Sequence, residues 1–373
     1  MRHYRTAAGA ATAVALVLAA PATASAHSDQ HGIPPITTFA TGLDGPRQLS
    51  TLSHGVLLVA ESDSGEVSSV DLYTGKVRTL LSGLGNPQGV DAANGLIYVA
   101  VGEAGPPPEE GAPPPPPRPA GEPQNVVLEA TPDGKVLRSF DLLAYEKANN
   151  PDGQVQLVNG QPVDALSNPF SVLAQKDRLL VADAGANDVL SIDLATGAIS
   201  TFFVPPVITG TPECATAENN PGTVGCDPVP TEITQGPDGL IYVGTLGAEA
   251  PGAARVYVLD QHGKVLRHID GLTSVTGVAV GDDRTVYVSN VIAGAPEGDG
   301  PPPAGFDPAT VGNLTRISPD GSRAVAEVTM PAGLEMASGT LYSTAWAVAS
   351  FANLPNGLGE VQRIGEGAFA RTP

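Results

Sequence analysis

The chain has 373 residues, with 39 acidic residues against 19 basic ones and a formal net charge of −20 at pH 7. Such a surface repels phosphate backbones, and the lysines Lys76, Lys135, Lys176 and Lys264 are scattered through expected turns rather than clustered. The composition therefore excludes nucleic acid as a partner. The acidity itself is best explained by solubility.

The N-terminus has the features of a secretory signal peptide. Arg2 and Arg5 precede an apolar run from Ala7 to Ala20, and small residues follow up to Ala26. This run is too short for a comfortable membrane span, and no later stretch reaches the roughly 18 apolar residues that a span needs. We expect cleavage after Ala26 and a secreted, extracellular monomer without a membrane span. An uncleaved anchor is the alternative, which the lack of a basic stop-transfer pattern disfavours.

Two cysteines, Cys214 and Cys226, lie inside one irregular segment. In an exported chain this pair predicts a disulfide rather than a metal site or a redox centre. A bridge over a loop of this size contributes on the order of 3 kcal/mol in the chain-entropy model. We expect it to stabilise the loop rather than the whole fold.

A short sequence motif, here called the phrase, recurs six times along the chain and predicts repeated β-structure. Each copy starts near a Pro or Gly and leads, after a short turn, into a strand rich in Val, Ile, Leu and Tyr. No segment keeps a helical period over three turns, so helices should be almost absent. The six apolar strands are Val56–Glu61, Gly95–Ala100, Leu179–Asp183, Gly239–Gly244, Thr285–Ser289 and Gly339–Ser343.

A second pair of strands follows each phrase around a polar turn such as Thr74-Gly75, so each unit has four strands, a to d. The sixth unit ends near Ile364 without a d strand, whereas an unassigned strand, Ile36–Ala40, precedes the first unit. In a closed ring that strand completes the last blade and leaves no exposed edge. We predict an all-β, six-bladed β-propeller of four-stranded blades closed by an N-terminal strand, with seven blades as the alternative.

The domain boundaries follow from this repeat. Because strand direction alternates, the a–b and c–d turns share one face, here called the short-turn face, and the b–c and d–a connections share the other, the loop-rich face. All long irregular segments are connections of the second kind, which favours a binding role for that face over mere tolerance of Pro-rich insertions. The predicted segments are a signal peptide (1–26), a flexible tail (27–35), one propeller domain (36–365) with Pro-rich insertions near 102–124 and 292–312, and a tail (366–373).

The rhythm of the repeat resembles the NHL and SMP-30/gluconolactonase-like six-bladed propellers. The phrases at 168–171, 181–190, 228–231 and 251–257 resemble the ScyD/ScyE family of exported proteins, over roughly residues 36–365. That family is named for an association with biosynthesis of the pigment scytonemin. The resemblance implies an exported propeller and no agreed activity.

Resemblance to a metal-dependent SMP-30-type lactonase would imply Glu, Asn and Asp around the central channel, including the residue after the Pro of each innermost strand. None of those positions holds a carboxylate, and Asp91, Glu232 and Glu335 are shifted along the strand, where alternation leaves their facing open. We therefore expect no cofactor, and a divalent cation in the channel is a disfavoured alternative. The positions in question are Arg47, Gln88, Phe170, Thr231, Thr276 and Ala332.

No catalytic residue is assigned, because the chain has no G-x-S-x-G elbow and its histidines fall in the leading tail, in turns or in a d strand. We predict a ligand site at the channel mouth on the loop-rich face, near the polar ends of several strands. Asp183 has a structural alternative as a cap of turn amides, and Trp346 has one in core packing. The predicted ligand-binding residues are Arg47, Gln88, Asp183, Asn290 and Trp346.

The preferred function at this stage is an exported binding or scaffolding module. Its partner would be a small molecule, a peptide or a component of the cell envelope. The alternative is a propeller hydrolase, lactonase or lyase that acts at the mouth of the central channel. At least three oxygen ligands converging on the channel would favour the enzyme, whereas a channel lined by Phe170, Thr231, Thr276 and Ala332 would favour binding.

Overall fold

The computed structural model describes residues 35–103, 122–158, 161–163, 166–217, 219, 223–296 and 302–371. The expected signal peptide and cleavage site, most of the 102–124 insertion and part of the 292–312 insertion lie outside these residues. In the part of the chain that is described, no helix is long and apolar enough to cross a membrane.

Six antiparallel four-stranded blades, one of which is extended by a fifth strand, form a β-propeller, which confirms the predicted fold and excludes the seven-bladed alternative. Among the described residues there is one α-helix, α1 (Leu142–Asn149), which lies in the connection between blades 2 and 3. Asp141 begins this helix by accepting a hydrogen bond from the Ala144 amide. The first strands in chain order are β1 (Ile36–Leu43); blade 1, β2 (Pro46–Ser53), β3 (Val56–Glu61), β4 (Glu66–Asp71) and β5 (Val77–Leu81); blade 2, β6 (Pro87–Ala93), β7 (Leu96–Val101), β8 (Val126–Ala130) and β9 (Val136–Asp141).

The remaining blades follow the same order, with the innermost strand first. A short hairpin of two strands precedes blade 3. The strands are β10 (Gln156–Val158) and β11 (Gln161–Val163); blade 3, β12 (Pro169–Ala174), β13 (Arg178–Asp183), β14 (Asp188–Asp193) and β15 (Ile199–Phe203); blade 4, β16 (Pro230–Gln235), β17 (Ile241–Thr245), β18 (Ala254–Leu259) and β19 (Val265–Leu272); blade 5, β20 (Val275–Val280), β21 (Val286–Asn290), β22 (Asn313–Ile317) and β23 (Arg323–Ala326); and blade 6, β24 (Leu334–Ala337), β25 (Thr340–Ala345) and β26 (Gly359–Ile364).

The core is a ring of six apolar layers, one between each pair of neighbouring blades. Between blades 1 and 2, for example, Leu58 and Val67 pack with Val90 and Val99. Equivalent clusters join the other pairs, including blades 6 and 1. Each b strand contacts a blade on both sides, which explains why these strands are apolar on both faces rather than alternating.

The N-terminal strand closes the ring as predicted. β1 lies antiparallel beside β26, with Ile36 opposite Ile364 and Leu43 opposite Gly359. Blade 6 therefore takes three strands from the C-terminal part of the chain and its outermost strand from the N-terminal part. β1 thus covers the edge of β26 that would otherwise be exposed, and the ring is closed.

The end of the chain also packs on the propeller. A short strand, β27 (Ala370–Arg371), pairs with β23 of blade 5. Phe369 is buried there, with its ring 5.6 Å from that of Tyr287. Part of the segment expected to be a tail thus extends the sheet of blade 5.

The predicted disulfide between Cys214 and Cys226 is confirmed. Both cysteines belong to a small cluster with Ile208, Ala250 and Ala253, on the loop-rich face between blades 3 and 4. This cluster contains no residue of the inter-blade layers, so the bridge stabilises a local subcore.

Candidate functional site

A repeated irregularity in the innermost strands determines which side chains face the central channel. Positions in the recurring phrase are counted here from its first residue, which is Pro87 in blade 2 and Pro230 in blade 4. In five of the six blades the pairing of the a and b strands shifts register across the second position, for example between Pro87 and Gly89 or between Pro230 and Glu232. A bulge of this kind re-aims the side chains around it. The third and fifth positions consequently face the channel, and the second position does not.

Two rings of side chains result. The fifth positions all contribute to one cavity, and four of them carry polar or acidic groups that come from blades 1, 2, 4 and 6. The ring of third positions is Gln48, Gly89, Ser171, Glu232, Gly277 and Gly333; the ring of fifth positions is Ser50, Asp91, Leu173, Thr234, Ala279 and Glu335.

The ring of third positions is tight because three of its members are glycines. A Cβ on Gly277 would stand 2.1 Å from the Ala332 carbonyl oxygen, and one on Gly333 would stand 2.5 Å from that of Arg47. At these glycines the neighbouring innermost strands approach each other too closely for a side chain.

Gln48 crosses the channel at the same level. Its Nε2 donates to the carbonyl oxygen of Thr276 at 2.6 Å and to that of Thr231 at 3.3 Å, so blade 1 is joined to blades 5 and 4. The side chain is buried. Gln48 therefore narrows the end of the channel that points to the loop-rich face.

Below Gln48, a cavity of about 330 Å³ extends to the short-turn face. Its lining reaches Pro237 and Asp282, which lie in a–b turns and are exposed. A volume of this order accommodates a small molecule. Asp91, Glu232 and Glu335 come from blades 2, 4 and 6 and all line this cavity.

Glu232 is the most deeply buried of the three acids, with 6% of its surface exposed. Its Oε1 accepts a hydrogen bond from Ser171 at 3.2 Å, whereas its Oε2 is buried without a partner among the described residues. Burial raises the pKa of Glu232 well above its ordinary value, and the charges of Glu335 and Asp91 raise it further. The raised pKa favours the protonated form of the carboxyl group, which can donate a hydrogen bond into the cavity.

Asp91 has a different environment. Ala174 donates its amide to Oδ2 at 2.7 Å, Ala92 donates to Oδ1 at 2.7 Å, and the Ser50 hydroxyl donates to Oδ1 as well. Burial raises the pKa of Asp91, but these three donors oppose the effect by stabilising the carboxylate.

The environment of Glu335 is intermediate between those of Glu232 and Asp91. The amide and the hydroxyl of Thr51 both donate to its Oε1, at 3.1 Å and 2.5 Å. Burial nevertheless raises the pKa of Glu335 to about 7, and the charge of Asp91 contributes to the increase. The channel thus holds three carboxyl groups whose pKa values are all raised by burial, a feature that occurs at functional sites.

The three acids do not form a metal centre. Within the described residues, no group of three His, Cys, Asp or Glu side chains is arranged to hold a metal ion. A hard cation needs several oxygen ligands around one point. The residues present do not fit the metal that an SMP-30-type lactonase would imply.

Arg47 and Gln88, two of the predicted ligand-binding residues, occupy second positions. Arg47 is buried, and its Nε donates to the Ser62 hydroxyl at 2.8 Å. Gln88 is buried as well and donates to Asn168 Oδ1 at 2.7 Å. Neither residue belongs to the lining of the cavity.

The other three are held within their own blades. Asp183 accepts from the Ser167 hydroxyl and the Asn168 amide, both at 2.6 Å, in the capping arrangement considered above. Asn290 donates to Asn313 and Thr315 across β21 and β22. Trp346 packs against the layer between blades 5 and 6. The structure does not bring the five residues together at the cavity.

Sequence reasoning considered Asp91, Glu232 and Glu335 but did not assign them to the site. The signal that identifies them is the alternation along the innermost strand, counted from the third position of the phrase rather than from the second. That starting point depends on the bulge, which the sequence alone does not show.

Solved structures with the same architecture share little sequence with this chain. A putative oxidoreductase (glucose dehydrogenase) from Thermus thermophilus is 14% identical and has a TM-score of 0.51, with 88% of this chain and 98% of that one covered. A putative gluconolactonase is 11% identical with a TM-score of 0.50, covering 88% and 91%. A streptogramin B lyase is 13% identical with a TM-score of 0.49, covering 88% and 96%.

The likenesses to the putative glucose dehydrogenase and the putative gluconolactonase show the fold alone, a six-bladed propeller. No family model matches the sequence. No curated protein matches it either. The resemblance to the ScyD/ScyE family therefore stays a prediction.

Proposed function

We propose that this protein is a propeller enzyme of the hydrolase, lactonase or lyase class, which acts on a small polar molecule in the central channel by acid–base chemistry. The observation that carries the proposal is the convergence of Asp91, Glu232 and Glu335 on one cavity, where burial raises the pKa of all three. Three channel-facing oxygen groups are the feature that favours an enzyme over a binding module. Substrate would enter from the short-turn face.

The roles follow from the environments. Glu335, with its pKa raised to about 7, is suited to take a proton from the substrate and return it at neutral pH. Glu232 is buried and its raised pKa favours the protonated form, which is suited to donate a hydrogen bond to a substrate oxygen on which negative charge develops. Asp91 accepts three hydrogen bonds that favour its carboxylate form, which is suited to stabilise positive charge in the same cavity.

The test is a panel of aldonolactones, other small lactones and p-nitrophenyl esters, chosen because a gluconolactonase-like propeller shares the fold. We expect turnover whose rate rises through a pKa near 7. Glu335→Gln should lower kcat by about 100-fold or more, the usual contribution of a general acid or base. Glu327→Gln is the matched control, because Glu327 is exposed on the outer part of blade 5.

Absence of turnover across the panel would contradict the enzyme, as would a pH–rate profile that Glu335→Gln and Glu232→Gln both leave unchanged. Competitive inhibition by a bound but unreacted compound, lost in Glu232→Gln, would instead assign the channel to binding.

A binding module on the loop-rich face is the second candidate, and one observation favours it. Phe351 is 76% exposed, and the Arg47 guanidinium lies 5.1 Å from the centre of its ring. An exposed aromatic ring beside a cation is a suitable contact for a small molecule, a peptide or a cell-envelope component. Loss of ligand binding in Phe351→Ala and Trp346→Ala, with Glu232→Gln unaffected, would support this candidate.

Export of the protein belongs to the same proposal. An intramolecular disulfide and an N-terminal segment of the signal-peptide type both support an extracellular location.

A further inference from the structure

The cavity below Gln48 is lined by charges of one sign. Four acids contribute to it: Asp91, Glu232 and Glu335 inside the channel and Asp282 at the mouth. Among the described residues that form the lining, none is a Lys, an Arg or a His. A concave site with charges of one sign concentrates ligands of the opposite sign.

Basic side chains do occur on the short-turn face, but they lie outside the cavity. Arg178 donates to the carbonyl and side-chain oxygens of Gln261, in the c–d turn of blade 4. The four acids therefore share the described lining with no basic group that could neutralise them. The basic residues of the a–b turns, none of which lines the cavity, are His54, Lys176, Arg178 and Arg284.

Glu232 presents an unused acceptor in this cavity. Its Oε1 accepts from the Ser171 hydroxyl at 3.2 Å, but its Oε2 is buried without a partner among the described residues. The residue has only 6% of its surface exposed and occupies a third position, which faces the channel. A buried oxygen of this kind is unfavourable until a donor reaches it, and the open side is the cavity.

The other two acids also retain capacity to accept hydrogen bonds. Thr51 donates twice to Oε1 of Glu335, and no described donor reaches Oε2. Oδ2 of Asp91 accepts from the Ala174 amide alone, and a carboxylate oxygen can accept two hydrogen bonds. All three carboxyl groups can therefore receive a donor that enters the cavity.

Apolar side chains line the same cavity beside the acids. In the ring of fifth positions, Leu173 of blade 3 and Ala279 of blade 5 lie between the blades that carry Asp91 and Glu335. An inorganic cation would make no use of these groups. A carbon chain would be removed from water by contact with them.

We propose that the ligand of this channel is a small organic amine, whose ammonium group binds Asp91, Glu232 and Glu335. Its carbon chain lies against Leu173 and Ala279. In the enzyme proposed above, on which this assignment depends, the amine is part of the substrate. An alkylammonium group carries three N–H donors, and its hydrogen bonds to carboxylates are charge-assisted. The cavity volume of about 330 Å³ is of the order that holds a molecule of this kind.

Protons compete with the amine for the same carboxyl groups. Burial raises the pKa of Asp91 and of Glu232, and that of Glu335 to about 7. The ionised carboxyl groups are the forms that bind a cation, whereas an alkylamine keeps its proton up to about pH 10. The affinity for an amine should therefore rise between pH 5.5 and pH 8.

The experiment compares three probes of one chain length that differ in charge: n-hexylamine, 1-hexanol and hexanoate. Titration calorimetry at pH 8 in 0.15 M NaCl should show one hexylammonium site per chain, with at least tenfold higher affinity than hexanol and no binding of hexanoate. Hexylammonium should bind at least tenfold more weakly at pH 5.5, and at least tenfold more weakly to Glu232→Gln and Glu335→Gln at pH 8. Asp177→Asn is the matched control, because it removes one charge from an exposed a–b turn residue outside the lining.

Equal affinities for hexylamine and hexanol would overturn the amine, as would equal losses in Asp177→Asn and Glu232→Gln. Lactone or ester turnover that Glu335→Gln lowers, in a protein that hexylammonium neither binds nor inhibits, would overturn the amine and leave the enzyme standing. Hexylammonium binding that depends on the carboxyl groups, in a protein that turns over none of the lactones or esters, would support the amine and contradict the enzyme.

Discussion

Glu335 shows how a single position couples the channel to pH. Its carboxyl group accepts two hydrogen bonds from Thr51, which favour the ionised form. Removal from water outweighs them and raises the pKa to about 7, against an ordinary value of 4.5. The folded protein therefore binds a proton at Glu335 more readily than the unfolded chain does.

The stability of the protein should depend on this proton. For a carboxyl group with a raised pKa in the folded state, the contribution to stability is complete below pH 4.5 and is lost as the pH rises to about 7. The loss amounts to about 3 kcal/mol if Glu335 acts alone. Urea denaturation from pH 4.5 to 8 should show a smaller decline in the free energy of unfolding for Glu335→Gln than for the wild type.

Glu327→Gln provides the comparison, because that side chain is exposed. Its curve should parallel the wild type at every pH. Identical slopes for Glu335→Gln and the wild type would show that the Thr51 donors, rather than burial, control the carboxyl group.

At the scale of elements, β1 carries the closure of the ring. It pairs with β26 over most of its length, and Ala40 and Leu43 are buried in the layer between blades 6 and 1. β1 is thus the strand that completes blade 6 and joins it to blade 1.

Truncation should test whether β1 closes the ring. Starting the mature chain after Thr41 removes most of β1, exposes the edge of β26 and opens the layer between blades 6 and 1. We expect a much lower Tm, or insoluble protein, in a thermal scan. Removal of residues 27–32 alone should leave the Tm unchanged, and equal melting temperatures for both truncations would contradict the role of β1.

At the scale of the whole molecule, the two faces have different relations to the channel. The loops are concentrated on one face, but the glycines and Gln48 narrow the channel at that end. The cavity extends instead to the short turns that contain Pro237 and Asp282. The propeller therefore carries its long loops on one face and opens its central channel on the other.

This route can be tested with a bulky substitution at the entrance. Asp282→Trp should lower kcat/KM by obstructing entry, with little change in kcat, for any substrate that the lactone and ester panel identifies. His262→Trp is the control, because His262 lies in a c–d turn on the same face but away from the axis. Equal effects of the two substitutions would mean that entry occurs elsewhere.

Periodic patterns made the architecture readable from the chain itself. The recurring phrase predicted six blades, the missing d strand predicted closure by Ile36–Ala40, and the isolated cysteine pair predicted the bridge between Cys214 and Cys226. These features depend on local turn chemistry and on the requirement that every sheet edge be paired. Both can be inferred from the order of residues along the chain.

The site was decided by contacts between distant parts of the chain. Because of the bulge, Asp91 and Glu232 face the channel, whereas Arg47 and Gln88 do not. The amide of Gln48 donates to carbonyl groups 183 and 228 residues away. Which carboxyl group holds a proton depends on how deeply it is buried and on which donors reach it across the ring. Neither quantity is local, so the sequence specified the propeller and only the tertiary structure determined where its acids meet.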